Sequence, residues 1–367
     1  MSSPDVAVIG GGIIGTAAAA LLAEAGASVV LFEATAIGAG ASGRNSGVIQ
    51  HPYDRALAQL HTDSLASYRA LDAVADGFAL PSAPAGILLV TTDDGVIAET
   101  TERLAKATPE LEPQAIAIGQ AGLIEPELAA DVGGCLLRTG YPVVPAAATD
   151  AFARRARRAG VSMRIGESAA PVIDDHRAVG VSAGESEILP AGQVLVAAGP
   201  WTPALVPGWQ AQPPIGRSWG VVVSTVLPRP LRWVLEEETI DERGSAEPYA
   251  SSLVTAAGAS SVGSTFLGSE PDPAALAPEI MRRASRFVPA LGSAPINGLR
   301  ACARPVSADG RPLIGSVPGV AGLFVCAGHG PWGISTGPAS ARLVADHMLA
   351  GAEVPAALDA ARVTAAG

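Results

Sequence analysis

The first pattern in this chain is a short apolar run, a long apolar helix and a second apolar run. Residues 5–9 (DVAVI) read as a strand buried on both faces, as in a parallel sheet. An alanine-rich helix then runs to about Ala25, Gly26 ends it, and residues 28–32 (SVVLF) give the next strand. Residues 143–165 repeat the theme, with a helix ended by Gly160 and followed by a strand, and Val194–Ala198 reads as another buried strand. Residues 84–92 (PAGILLVTT) and 219–226 (WGVVVSTV) read as strands of a second sheet. Between these two lies a helix over 96–108 with Ile97, Thr101, Leu104 and Ala105 on one face. Strands alternating with helices predict an α/β chain, with no internal repeat or charge block.

The turn after the first strand reads Gly10-x-Gly12-x-x-Gly15. The three glycines serve different ends, Gly10 making a tight turn, Gly12 admitting a pyrophosphate close to the backbone, and Gly15 letting helix pack on strand. The helix N-terminus then faces the phosphates. Glu33 closes the second strand 23 positions after Gly10, where an acid hydrogen-bonds a ribose hydroxyl. This unit predicts a bound dinucleotide without choosing between NAD and FAD. Residues 37–47 (IGAGASGRNSG) form a glycine- and serine-rich loop where an NAD fold would continue into helix. Such a loop suits a second stretch of backbone along a longer cofactor, or else a plain surface loop. The uncharged span Val6–Ala23 also has the look of an export signal or membrane segment, but only Asp5 precedes it as a charge and four glycines interrupt it. No membrane span is expected.

Composition narrows the function classes. A length of 367 residues suggests two domains, and 49% hydrophobic against 16% charged residues excludes disorder. A net charge of −11 argues against nucleic acid and anionic membrane surfaces. Three scattered cysteines make no disulfide framework, so a cytoplasmic location is expected, and no metal site is. Lys106 is the only lysine among 24 basic residues.

The opening fingerprint, GASGRNSGVIQHP, VLVAAGPWTP at 194–203 and the C-terminal ARPVSADGRPLIG…GHGPWGISTGPASARLVAD together resemble one family. It is the FAD-dependent amine and amino-acid oxidoreductases, the group of D-amino-acid oxidase, glycine oxidase, sarcosine oxidase and D-amino-acid dehydrogenase. The resemblance implies an α/β (α+β) fold: a glutathione-reductase-like, Rossmann-type FAD-binding domain with an interleaved substrate domain on a mostly antiparallel sheet. The FAD domain would use 1–80, 140–212 and 296–367, and the substrate domain 81–139 and 213–295. FAD would then meet Gly10, Gly12, Ile13, Ile14 and Gly15 at the first turn, and Glu33 and Ala34 after the second strand. Ser42, Arg44, Asn45, Ser46 and Gly47 would follow from the loop, Val172 at the adenine end, and Ala198, Gly199 and Trp201 from the AGPW turn. Gly328, His329, Gly330, Trp332, Gly333, Ile334 and Ser335 would pass the flavin ring and enter the last helix, whose N-terminus stabilises negative charge there. Non-covalent FAD is expected. Cys302 is the exception to weigh, standing where sarcosine oxidase-like proteins carry a flavin-linked cysteine; a buried, inert thiol is the alternative.

For the substrate, the resemblance puts Arg304 where glycine oxidase-like proteins hold a carboxylate, a role a guanidinium fork suits. Arg300 lies outside the motif, and Arg311 reads as a turn residue after Asp309. His51 either contacts substrate or flavin edge, or is structural; Trp332 either lines the cavity or packs in the core. Trp219, Trp233 and Tyr249 are further candidates for the cavity wall. The chain lacks the arginine that glycine oxidase-like proteins carry in the 328–335 loop and the one sarcosine oxidase-like proteins carry near Gln50. It also lacks, unless Lys106 serves, the lysine some members use to activate oxygen. The expected reaction is oxidation of the C–N bond of a small carboxylate-bearing amino acid or secondary amine. Hydride would pass to flavin N5, the imine would hydrolyse to a keto acid, and O2 or another acceptor would take the electrons. The stretch 44–49 (RNSGVI) also resembles a 2-hydroxy-acid oxidase branch, and a flavoprotein subunit passing electrons to a partner is a third reading.

Overall fold

The computed structural model describes residues 3–74, 77–184, 187–241, 244–245 and 248–363. Strands Val6–Ile9, Val29–Glu33, Ser162–Ile165, Gln193–Val196 and Leu323–Ala327 pair in parallel, and Leu313–Ser316 joins the edge antiparallel, giving a six-stranded sheet. The central runs are buried on both faces, which is why they read as continuous apolar stretches. Helix Ile13–Glu24 connects the first two strands, and its alanines 17–20 are fully buried. Helix Gly333–Ala350 packs against it where Gly337 faces Ile13 and Ile14, a Cβ there lying 3.1 Å from Ile13.

The second sheet has eight strands, in the order Gly298–Ser307, Ile215–Thr225, Ala259–Thr265, Tyr249–Ala256, Val234–Glu237, Ile87–Thr91, Gly133–Leu137, Gln114–Ile116. Only the Val234–Glu237/Ile87–Thr91 pair is parallel; the other pairs are antiparallel. Strand Gly298–Ser307 belongs to this sheet, although it lies past the boundary expected at 296. Helix Pro273–Ala284 covers the sheet with Ala277, Ile280, Met281 and Ala284, an i, i+3, i+4, i+7 stripe. The amphipathic helix expected over 96–108 runs Asp94–Ala107; it buries Ile97, Thr100 and Leu104, while Ala105 faces solvent. Lys106 on it pairs with Glu102 and is exposed. The chain thus has the α/β fold expected, with a parallel nucleotide-binding-type sheet beside a mostly antiparallel one. Among the described residues no helix is long and apolar enough to cross a membrane.

Candidate active site

A cavity of about 1080 Å³ runs from the first βα turn to the large sheet. At one end lies the glycine turn. Gly10 has φ +116°, and a Cβ on it would meet the Ala197 carbonyl oxygen at 2.4 Å. A Cβ on Gly15 would sit 1.9 Å from the Gly10 carbonyl oxygen, so the helix rests directly on the turn. The amide of Ile13, one of the helix's free N–H groups, donates to Ser42 Oγ, which ties the 37–47 loop to the helix N-terminus. That loop is partly helical, over Ala41–Arg44. Asn45 braces it by donating to the carbonyls of Ala41 and Ser42 while its Oδ1 accepts from Gly47 N. Glu33 accepts from Gly11 N and from Thr35 and faces the same cavity.

Most residues expected at FAD line this cavity. They are Gly10, Gly12, Ile13, Ile14, Glu33, Ala34, Ser42, Arg44, Asn45, Ser46, Gly47, Ala198, Gly199, Trp201, Arg304, His329, Gly330, Trp332, Gly333, Ile334 and Ser335. Gly15 stands behind the lining in its packing role. Two others lie off the lining. Val172 pairs with Gly180 in a three-stranded antiparallel sheet, and Glu167, Ser168 and Ala169 occupy that wall instead. Gly328 turns the chain at φ +90° against Ile215 and Ser307, outside the lining.

His51 is likewise displaced from the expected site. Its neighbour Gln50 lines the cavity, and His51 turns away, with Nδ1 2.6 Å from the Pro52 carbonyl and its ring edge-on to His61 at 5.1 Å. Burial holds its pKa below the ordinary value, with the Pro52 carbonyl and Glu110 opposing. Of the three aromatic candidates, Trp219 lines the cavity; Trp233 lies over Gly86 and donates to the Ile124 carbonyl, and Tyr249 stacks with Arg283. Trp332 is a cavity wall and is buried, edge-on to Tyr53.

The polar chemistry sits on strand Gly298–Ser307. Period-two alternation puts Arg300, Cys302 and Arg304 on one face. Arg300 is held by Ser224, Ser261 and the Asn45 carbonyl and stays outside the lining. Arg304 lines the cavity: Nη1 donates to the Thr265 carbonyl at 2.8 Å, Nη2 to Ser264 Oγ, and the guanidinium lies over Phe266 at 4.5 Å. No carboxylate among the described residues pairs with it. Gly220, opposite Cys302 in the register, makes room: a Cβ there would lie 2.5 Å from Arg304 Nη2. Gly220→Ala should therefore displace the guanidinium, and weakened carboxylate binding with a folded, flavin-loaded protein is the expected measurement. Cys302 is buried in the same wall, and burial raises its thiol pKa against the opposing pull of Arg304, Arg44 and Arg300.

Two buried groups in this wall carry unusual electrostatics. His329, at the entry to the last helix, has Nε2 bonded to Ser340 Oγ at 2.9 Å and Nδ1 without a partner among the described residues; burial lowers its pKa to about 3, so it is neutral. Glu236, which sequence reasoning missed, lines the cavity at 6% exposure. Its Oε2 accepts from Gln50 Nε2 at 3.2 Å and from Tyr53 OH at 3.5 Å, and burial raises its pKa to about 7 against those two bonds. Its folded pKa is raised, so the contribution to stability is complete below about pH 4.5 and is lost as pH rises to about 7. Glu236→Gln should thus gain roughly 2–3 kcal/mol over the wild type between about pH 5 and pH 8, read from denaturant melts; a difference that does not change with pH would refute the buried-carboxyl description.

The residues fit FAD. Glycine backbone too close for any Cβ, a helix N-terminus and a long second loop all line one cavity. No group of histidine, cysteine, aspartate and glutamate side chains among the described residues is placed to hold a metal.

The comparisons agree. The family described as FAD dependent oxidoreductase matches residues 5–347. Over 51 residues the chain is 55% identical to the gamma-glutamylputrescine oxidoreductase of Escherichia coli strain K12, a match covering 14% of this chain and only 12% of that protein. Among solved structures, glycine oxidase from Geobacillus kaustophilus superposes with TM-score 0.83 at 24% identity, covering 98% of each chain. Iminodiacetate oxidase from Chelativorans sp. BNC1 gives 0.80 at 24% identity, over 95% of this chain and 97% of its own. At such identities the likeness is one of fold.

Proposed function

This chain belongs to the family of FAD-dependent oxidoreductases, and from that premise we propose that it oxidises the C–N bond of a small amine or amino acid carrying a carboxylate. The observation that carries the reading is Arg304, whose guanidinium sits on the cavity wall, buried enough to lower its pKa, with no carboxylate partner among the described residues. A buried cation is normally paired, so the missing anion belongs to the substrate. FAD, when bound, supplies the two-electron acceptor for the substrate's hydride.

The chain's residues do the positioning. Arg304 binds the carboxylate through the donors left after Thr265 and Ser264 are satisfied, and Trp219 and Trp332 close the wall around the substrate. Gly12, Ser42 and the first helix N-terminus would hold the pyrophosphate, and Glu33 the ribose. The opening residues of the last helix would face the flavin's electron-rich end. The amine must be neutral to release hydride, so turnover should rise with pH.

The test is anaerobic titration of the flavin-loaded protein with D-amino acids, N-methyl amino acids, glycine and 2-hydroxy acids. Bleaching by amines supports the reading, and bleaching by hydroxy acids alone overturns it. For the flavin link, the raised thiol pKa of Cys302 keeps it protonated and supports non-covalent FAD. Acid precipitation should leave the yellow colour in the supernatant; colour in the pellet that Cys302→Ser abolishes would prove the opposite.

A further inference from the structure

Three glutamates in a row, Glu236, Glu237 and Glu238, close one strand of the large sheet and continue past it. Glu237 pairs with Arg283 and accepts from Ser251 N; Glu238 pairs with Arg103 and accepts from Thr100. Glu236, between Leu89 and Ser252 in the sheet, has no cation partner among the described residues, although it is the buried one. Only neutral donors reach it, both on Oε2, and Oε1 has no hydrogen bond among the described residues. Beside it, Gln50 gives its Nε2 hydrogen to Glu236, which fixes the amide and the carboxyl together. One acceptor, Glu236 Oε1, thus stands unused on a cavity whose lining also holds the Arg304 guanidinium, which has no carboxylate partner among the described residues. That is the complement of a group with several N–H donors and a positive charge.

We propose that Glu236, oriented by the bond from Gln50, receives the substrate's ammonium group, pairs with it and takes one of its protons, leaving the neutral amine that gives up hydride. The inference rests on the carboxylate-bearing amine read above and adds which residue prepares it. The balance is simple. The N–H bond breaks and its proton forms the carboxylic acid of Glu236, with the electron pair staying on nitrogen. The C–H pair then leaves as hydride to FAD while the nitrogen pair forms C=N, and Glu236 returns its proton to solvent after product leaves.

The titratable groups around Glu236 do not compete with it. Burial raises the Tyr53 hydroxyl and the thiols of Cys135 and Cys302 and lowers His329, so all four are neutral between about pH 5 and pH 9, and Arg304 remains positive. Glu236, raised to about 7 by burial, is left to titrate.

The test uses the flavin-loaded enzyme and two probes it cannot oxidise, 2-aminoisobutyrate, which carries both charges, and isobutyrate, which carries only the carboxylate. Binding is followed by the flavin spectrum. In the wild type, 2-aminoisobutyrate should bind roughly tenfold or more tightly at about pH 8.5 than at about pH 5.5, with isobutyrate showing no such gain. Glu236→Gln should weaken 2-aminoisobutyrate roughly 10- to 100-fold at about pH 8.5, flatten its profile and leave isobutyrate within about twofold. In turnover, the rising limb of kcat should move from near 7 toward the pKa of the free amine, and Glu236→Asp should restore part of it. If amines reduce the flavin but wild-type binding of 2-aminoisobutyrate is pH-independent, or the Gln variant keeps the wild-type preference for it over isobutyrate, Glu236 has no such role. If no amine reduces the flavin and 2-aminoisobutyrate does not bind, the amine reading falls and this proposal with it. The wild-type profile needs no variant, so the proposal stays exposed even where a replacement fails to fold.

Discussion

Gly15→Ala should give a protein that purifies without yellow colour. A Cβ at this position would overlap the Gly10 carbonyl oxygen at 1.9 Å, and neither atom is the end of a flexible side chain. The helix must move off the turn or the turn must open. Either motion shifts the amides at Gly12 and Ile13 away from where a pyrophosphate would sit, and breaks the contact that Ser42 makes with Ile13 N. Overpacking of this kind costs about 1–3 kcal/mol or more, here spent on the geometry that holds the phosphates, so FAD affinity should fall roughly 100-fold. Gly26→Ala, at the other end of the same helix, is the control. Its φ of +98° strains an alanine but nothing lies within 4 Å of the added carbon. It should cost about 1 kcal/mol in stability and leave FAD bound. The measurement is flavin absorbance per protein after purification and after adding FAD back. A Gly15→Ala protein with wild-type flavin content would show that helix-on-turn contact does not govern the cofactor.

These glycines were legible in the sequence because their role is local: turn, helix start and strand end fall within 30 residues of one another. Arg304 and the 328–335 loop were legible through motifs that resemble a family. Glu236 was not. It stands in a run of three glutamates that reads as a solvated, charged edge, and only its pairing with Leu89 and Ser252 turns it inward. Gly220 carried no signal either, since the guanidinium that needs its space is some 80 residues away in sequence and adjacent only by strand pairing. His51, left open between a substrate contact and a structural role, lies off the cavity for a related reason. Proximity to a motif suggested contact, but side chains on an extended segment alternate sides, and Gln50 took the inward one. At the adenine end, Val172 lies off the cavity lining while Ala169, three residues earlier, lies on it.

Arg304→Ala should raise the Kd of carboxylate-bearing ligands by roughly 30- to 1000-fold, the about 2–4 kcal/mol lost when one partner of a buried, hydrogen-bonded charge pair is removed. The size follows from the guanidinium's setting. Thr265, Ser264 and the Phe266 face fix it, so no rotamer freedom is spent when a carboxylate arrives, and two of its five N–H donors are already used on the protein. Burial lowers its pKa, yet a guanidinium starts so high that it stays charged, and among the described residues no carboxylate compensates it. Removing it should therefore leave the empty protein no less stable than the wild type while weakening anion binding. That pairing of effects separates this role from a structural ion pair, whose loss would lower stability and leave Kd alone. Arg304→Lys should recover charge but not the two-pronged geometry, and so restore only part of the affinity. The carboxylate probe isobutyrate reads the term directly, without turnover, and amines lacking a carboxylate should respond to the substitution by less than about threefold. Unchanged isobutyrate binding in Arg304→Ala would remove the residue from substrate recognition and leave the cavity's positive charge to Arg44 and Arg217, which also line it.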